Sequence, residues 1–164
     1  MRLLCACSVL FFATLGAAQT TDPLQPLSFL IGIWTADDHG GLPETTEFHW
    51  TERQGTTVLV GRHWTGDDGG CPWCVTQAAI LVYYDKDANR VHALFRDKAQ
   101  RALDFVMAST LDDSAQFFSV DTGMPVYRLT FKRKLAKNIS ITLEEAHARE
   151  GAFSPFFDRS LHRR

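Results

Sequence analysis

The chain has 164 residues, of which 45% are hydrophobic, 22% charged and 12% aromatic, with a formal charge of −2 at neutral pH. That length suits one domain built on a single sizeable core, and the composition excludes a disordered or collagen-like chain. With no basic block and a slight excess of acid, the sequence lacks the electrostatic footprint of a nucleic-acid binder or of a membrane-surface helix.

The first residues, MRLLCACSVLFFATLGAAQT, place Arg2 ahead of the apolar run 3–15, which is followed by Gly16-Ala17-Ala18. A positive residue, an apolar stretch and a small-residue cleavage site predict a signal peptide over 1–18, a single domain over 19–164 and a periplasmic or secreted destination. The run is shorter than the roughly 20 residues that span a bilayer, so no integral membrane segment is expected after cleavage. Cleavage removes Arg2, Cys5 and Cys7. The mature chain then keeps Cys71 and Cys74 as its cysteines, and a formal charge of −3 from one fewer than the 17 Lys and Arg set against 19 Asp and Glu.

Next comes a short helical signal over 22–30, with Leu24, Leu27 and Leu30 in one row. Ten strand-like runs succeed it, at 31–36, 45–52, 56–65, 75–85, 90–97, 102–109, 115–121, 125–133, 138–146 and 153–162. The joints between them carry Gly, Asn, Asp and Pro, the residues of tight reversals, and none is long enough to hold a crossover helix. Parallel βαβ architecture is thereby excluded, and successive strands should pair antiparallel. So many short strands in one small domain must hide their edges, and closing the sheet on itself removes them. The expected fold is all-β: a ten-stranded antiparallel up-and-down barrel with a short N-terminal helix, a two-sheet sandwich being the alternative.

Gly32-Ile33-Trp34, just after the helical turn, resembles the GxW motif of the calycins, which include lipocalins and fatty-acid-binding proteins. Leu24, Leu27 and Phe29-Leu30 before it, then Leu81-x-Tyr83-Tyr84-Asp85, Pro125-x-Tyr127-Arg128-Leu129-Thr130-Phe131 and Phe153-x-Pro155-Phe156, extend the likeness. Together they resemble a family of bacterial exported proteins of unknown activity with a lipocalin-like barrel. The resemblance implies a structural role for Trp34, packed at the closed end beneath Arg163 or Arg164 through a cation–π contact.

Cys71-Pro72-Trp73-Cys74 admits three readings. Thioredoxin-like redox sites put CxxC at a helix start, but the next residues here, Val75 to Tyr84, are β-branched and aromatic and read as a strand. A structural zinc site wants four ligands, and His39, His49 and His63 lack tight spacing to Cys74. An oxidising compartment and an even pair of cysteines favour a disulfide. An extended four-residue segment would hold the two Cα atoms about 10 Å apart, beyond the roughly 7 Å a disulfide tolerates, so Pro72 must turn the chain. The disulfide Cys71–Cys74 is the leading expectation.

Alternation with period 2 assigns faces. In the second and third strands, Phe48 and Trp50 match Val58, Val60, Arg62 and Trp64 as an inward set, leaving Glu47, His49, Thr51 and His63 for solvent. With the hairpin reversal near Gln54-Gly55, His63 should pair nearer Thr46 than His49, so the two imidazoles should not face each other. In the fifth strand Val91, Ala93 and Phe95 should face in, and in the eighth Tyr127, Leu129 and Phe131. That rule turns Arg128 outward, whereas the likeness to fatty-acid-binding proteins would admit an inward arginine meeting a ligand carboxylate. Candidate ligand residues are therefore Trp50, Arg62, Trp64, Phe95, Tyr127 and Arg128.

No catalytic constellation is recognisable: there is no GxSxG elbow, no HExxH and no phosphate-cradling loop. No metal ligands and no cofactor are assigned. Haem binding through His162 is a remote alternative, because Ser160-Leu161-His162-Arg163 does not match the pattern of the haem-binding ten-stranded barrels. The leading expectation is a binding module holding a small apolar or amphipathic molecule. The rival is an enzyme, either an isomerase-like catalyst in the cavity or a thiol oxidoreductase at Cys71 and Cys74. Replacing both cysteines with serine should lower stability by about 2 kcal/mol on the chain-entropy model, read as a shifted denaturation midpoint with the fold unchanged; stoichiometric zinc lost in the double variant would mark a metal site instead.

Overall fold

Ten strands succeed one another, each antiparallel to the last, and the first pairs with the tenth to close a barrel. The computed structural model describes residues 22–36, 44–65, 78–96, 102–111, 113–120, 123–147 and 151–164. The strands are β1 (Gly32–Ala36), β2 (Glu44–Arg53), β3 (Thr56–Thr65), β4 (Ala78–Asp85), β5 (Arg90–Arg96), β6 (Ala102–Leu111), β7 (Ser114–Ser119), β8 (Val126–Leu135), β9 (Asn138–Ala146) and β10 (Ser154–Arg163). The sandwich alternative is thus set aside. The segment read as a signal peptide, residues 1–18, and both Cys71 and Cys74 lie outside the described residues. Among the described residues, no helix is long and apolar enough to cross a membrane.

The helical signal is a 3₁₀ helix, Gln25–Leu30. Three residues per turn put side chains at a spacing of three on one line, which is why Leu24, Leu27 and Leu30 are all buried together. The Asp22 carboxylate accepts the Leu24 N–H at 2.9 Å at its start. Between β2 and β3 the turn passes through Gln54 and Gly55, both at positive φ (51° and 74°), the requirement of a two-residue hairpin. Between β4 and β5 the Asp85 carboxylate accepts the N–H groups of Asp87 and Ala88, and Asn89 takes the positive φ.

Register decides which side chains meet in the lumen. Phe48 stands opposite Gly61, Thr46 opposite His63, and Trp50 opposite Leu59. Directly opposed residues share a face, so Leu59, Gly61 and His63 point inward with Phe48 and Trp50. This corrects the expectation for β3: Val60, Arg62 and Trp64 face outward, and Val58, though buried, stands outside the core cluster. The physical reason is space. A Cβ on Gly61 would lie 2.5 Å from a ring carbon of Phe48, so the large aromatic on β2 fits only where β3 presents no side chain. His49 lies opposite Val60 and His63 opposite Thr46, so the two imidazoles are on different faces. In β5 and β8 the inward sets are Val91, Ala93 and Phe95, and Tyr127, Leu129 and Phe131.

The half of the lumen nearer the 3₁₀ helix is solid. Phe131 packs edge-on against both Phe48 and Phe117, with ring centroids 6.0 Å apart in each pair, and Trp34, Leu59, Val82, Phe105 and Ile139 complete it. The Trp34 indole N–H donates to the Leu30 carbonyl at 2.6 Å. The Arg163 guanidinium lies 5.6 Å from the Trp34 ring and donates to the Ile31 carbonyl at 3.2 Å. Arg164 contributes its backbone N–H, to the Ile33 carbonyl. Gly61→Ala should force Phe48 out of place in a strand with little freedom to shift, a cost of about 1–3 kcal/mol, seen as a lower urea midpoint at an unchanged slope.

Candidate functional site

The other half of the barrel is hollow. A cavity of about 370 Å³ opens there, with Phe48 at its floor. Its walls carry Ile80 from β4, Phe95 from β5, Leu103 from β6, Ile141 and Leu143 from β9 and Leu161 from β10. Each is the inward member of a period-2 pattern. The cavity reaches the surface beside Phe156, 58% exposed, and Arg159, whose side chain is 44% exposed.

Phe156 owes its place to a bulge. The pairing of β10 with β9 slips between Pro155 and Phe157, and both Phe156 and Phe157 line the cavity. The slip also sets the facing of the remainder of β10: Phe157, Arg159 and Leu161 stand opposite Leu143, Ile141 and Ile139, which turns Arg159 inward. Its guanidinium is held by Glu44 of β2, Nε donating at 2.8 Å and Nη2 at 3.4 Å, and it lies 5.1 Å from the Phe157 ring. The remaining η nitrogen donates to the Asp158 carbonyl at 3.3 Å. This ion pair joins β10 to β2, at the residue that stands opposite Ala36 of β1.

Thr46 and His63 continue the polar corner. The Thr46 hydroxyl and His63 Nδ1 are 3.0 Å apart, and both residues line the cavity. Burial pushes the His63 imidazole below its ordinary pKa of 6.5; the Glu44 carboxylate raises it and the Arg159 guanidinium lowers it. At neutral pH this histidine is therefore uncharged and can both accept and donate. Among the described residues, no three His, Cys, Asp or Glu side chains converge in a metal-binding group.

Of the residues singled out by sequence, Phe95, Tyr127 and Arg62 line the cavity, Arg62 from an exposed position on the outward set of its strand. Trp50 faces in but packs against the solid core. Trp64 is turned outward. Arg128 also points outward and is committed elsewhere: it holds Glu144 in a two-point ion pair at 2.7 and 2.9 Å and lies 4.2 Å from the Phe153 ring. His162 belongs to the outward set of β10, its Nε2 at 2.9 Å from the Thr35 hydroxyl. Thr46, His63, Glu44 and Arg159 were not among the sequence candidates. Counting back by two from apolar Leu161 would have found Arg159.

The fold and its pocket define a closed ten-stranded antiparallel barrel with a half-hollow lumen and a polar corner. No protein-family model matches the chain, and no curated protein is significantly similar to it in sequence.

Because the native state disfavours protonated His63 while the unfolded chain accepts a proton near 6.5, its contribution to stability is fully present above that pH and is lost as the pH falls toward the native value. Urea midpoints at pH 8 and pH 5 should therefore diverge more in the wild type than in His63→Gln. Equal pH dependence in the two proteins would show that burial of the imidazole does not matter.

Proposed function

We propose that this protein is an exported, lipocalin-like binding barrel that holds a small apolar or amphipathic molecule in its lumen. The observation that carries the reading is the unfilled half of the barrel. Sequences that use a small barrel only as scaffold fill its interior with side chains; here about 370 Å³ stays empty between aromatic and aliphatic walls, with the polar groups gathered at one side. A cavity of that size, mostly apolar with a few convergent polar groups, is the usual form of a small-molecule site. The strand pattern and the Gly32-x-Trp34 motif support the family resemblance, and residues 1–18 support export.

A second reading rests on His63. An uncharged imidazole at the wall of an apolar cavity, beside a hydroxyl and an ion-paired guanidinium, is a base able to take a proton from a bound molecule. If the protein catalyses such a transfer, a ligand incubated with it in heavy water should gain deuterium at carbon with the wild type and not with His63→Gln.

The binding reading is tested by native mass spectrometry of protein purified from its own host, and by displacement of the neutral dye N-phenyl-1-naphthylamine. Leu103→Trp puts a large ring into the cavity from a half-buried wall position and should abolish dye binding while the melting temperature changes little. Failure of the wild type to bind any apolar compound would sink the proposal, as would undiminished binding by Leu103→Trp.

A further inference from the structure

We propose that the lumen selects molecules with an uncharged polar end, an alcohol, ketone, ester or amide, over carboxylic acids of the same chain. The inference rests on the binding reading above and concerns the charge balance of its polar corner. Arg159 is the one arginine of the inward set that lines the cavity among the described residues, and its charge is already matched. Glu44 takes two of its nitrogens, at 2.8 and 3.4 Å, and the carboxylate is only 24% exposed. An arriving carboxylate would meet that glutamate across the same guanidinium. It could bind there only by displacing Glu44 or by sitting beside a like charge, and like charges so placed repel.

The neighbouring groups favour the uncharged end. His63, neutral at pH 7.5 because burial lowers its pKa, and the Thr46 hydroxyl 3.0 Å from it supply both donors and acceptors without net charge. The guanidinium has five N–H bonds in all, and Glu44 and the Asp158 carbonyl draw on its three nitrogens without exhausting them. The N–H bonds left over can donate to a carbonyl or hydroxyl oxygen. An ammonium end is disfavoured by the same guanidinium. Arg62, the other cation of the wall, belongs to the outward set of β3, opposite Glu47. Phe95, Leu103 and Leu143 receive the apolar body of the ligand.

The test uses the full mature chain at pH 7.5 with two probes of equal length, 1-decanol and decanoic acid, each displacing N-phenyl-1-naphthylamine. The wild type should bind decanol more tightly than decanoic acid. Glu44→Gln leaves the Arg159 charge unmatched and should shift the ratio of the two dissociation constants toward the acid by about tenfold or more. Glu44→Gln/Arg159→Gln, which removes both charges, should return the preference to the alcohol; circular dichroism spectra matching the wild type establish that each variant folds. If neither probe binds the wild type, the binding reading falls and this inference with it. If both bind and the acid binds as tightly as the alcohol, or Glu44→Gln leaves the ratio unchanged, the barrel remains a binding protein and the selection for uncharged ends is overturned.

Discussion

The whole architecture depends on the seam where β1 meets β10. Among the described residues, the pairs there are Trp34 with Arg163 and Thr35 with His162. Side chains reinforce it. Trp34, 1% exposed, sits at the joint with its indole N–H bound to the end of the 3₁₀ helix and with Arg163 over its ring. A buried indole needs a partner for that N–H, so placing the tryptophan also places the helix. Gly32, at a φ of +136°, carries the chain from helix to strand, and a Cβ there would approach the Arg163 guanidinium to 3.2 Å. Helix, first strand and last strand are thus fixed by one set of contacts. Farther along β10, Arg159 ties that strand to β2 through Glu44.

This division of labour explains why one half of the lumen is solid and the other hollow. Toward the 3₁₀ helix the inward residues are large and interlock: Trp34, Phe48, Phe117 and Phe131 are all at most 1% exposed, as dense cores require. Toward the other end the inward positions pass to Thr46, His63 and Ile80, around the cavity. Polar side chains can lie there because they satisfy one another, Thr46 with His63 and Glu44 with Arg159; unpaired, each would carry a desolvation cost. Phe48 belongs to both regions, edge-on to Phe131 beneath and floor of the cavity above.

Much of this is written in local chemistry, which is why strands and turns could be located from the sequence. Gln54-Gly55 and Asp85 to Asn89 are turns for reasons contained in a few residues, and β5 and β8 each have one face plainly more apolar than the other. β3 does not. Its two alternating sets, Val58, Val60, Arg62, Trp64 and Leu59, Gly61, His63, are similar in average hydrophobicity, so the pattern carries no direction. The deciding fact is a fit between two strands, the Phe48 ring lying against the bare backbone of Gly61. The opposition of His63 and Thr46 contained the answer, since Thr46 shares a face with Phe48. Arg159 was hidden differently. The β10 bulge between Pro155 and Phe157 breaks the count that would carry a face assignment from Phe153 onward, and Glu44 becomes meaningful only once Arg159 is known to point at it.

The seam has a consequence for the order in which the molecule can be assembled. Its closing strands lie far apart in the chain, Thr35 and His162 being separated by 127 residues, whereas every other strand pairs with its immediate successor. Hairpins can therefore zip up one after another as the polypeptide is released, yet the product stays a curled open sheet until β10 arrives. During that interval β1 and the latest strand present raw edges, and the aromatic lining of the lumen is bare to water. Such a sheet is adhesive. A chain interrupted ahead of β10 keeps those edges open instead of forming a smaller barrel, and any chaperone that holds it would find its binding surface on the very residues that end up inside.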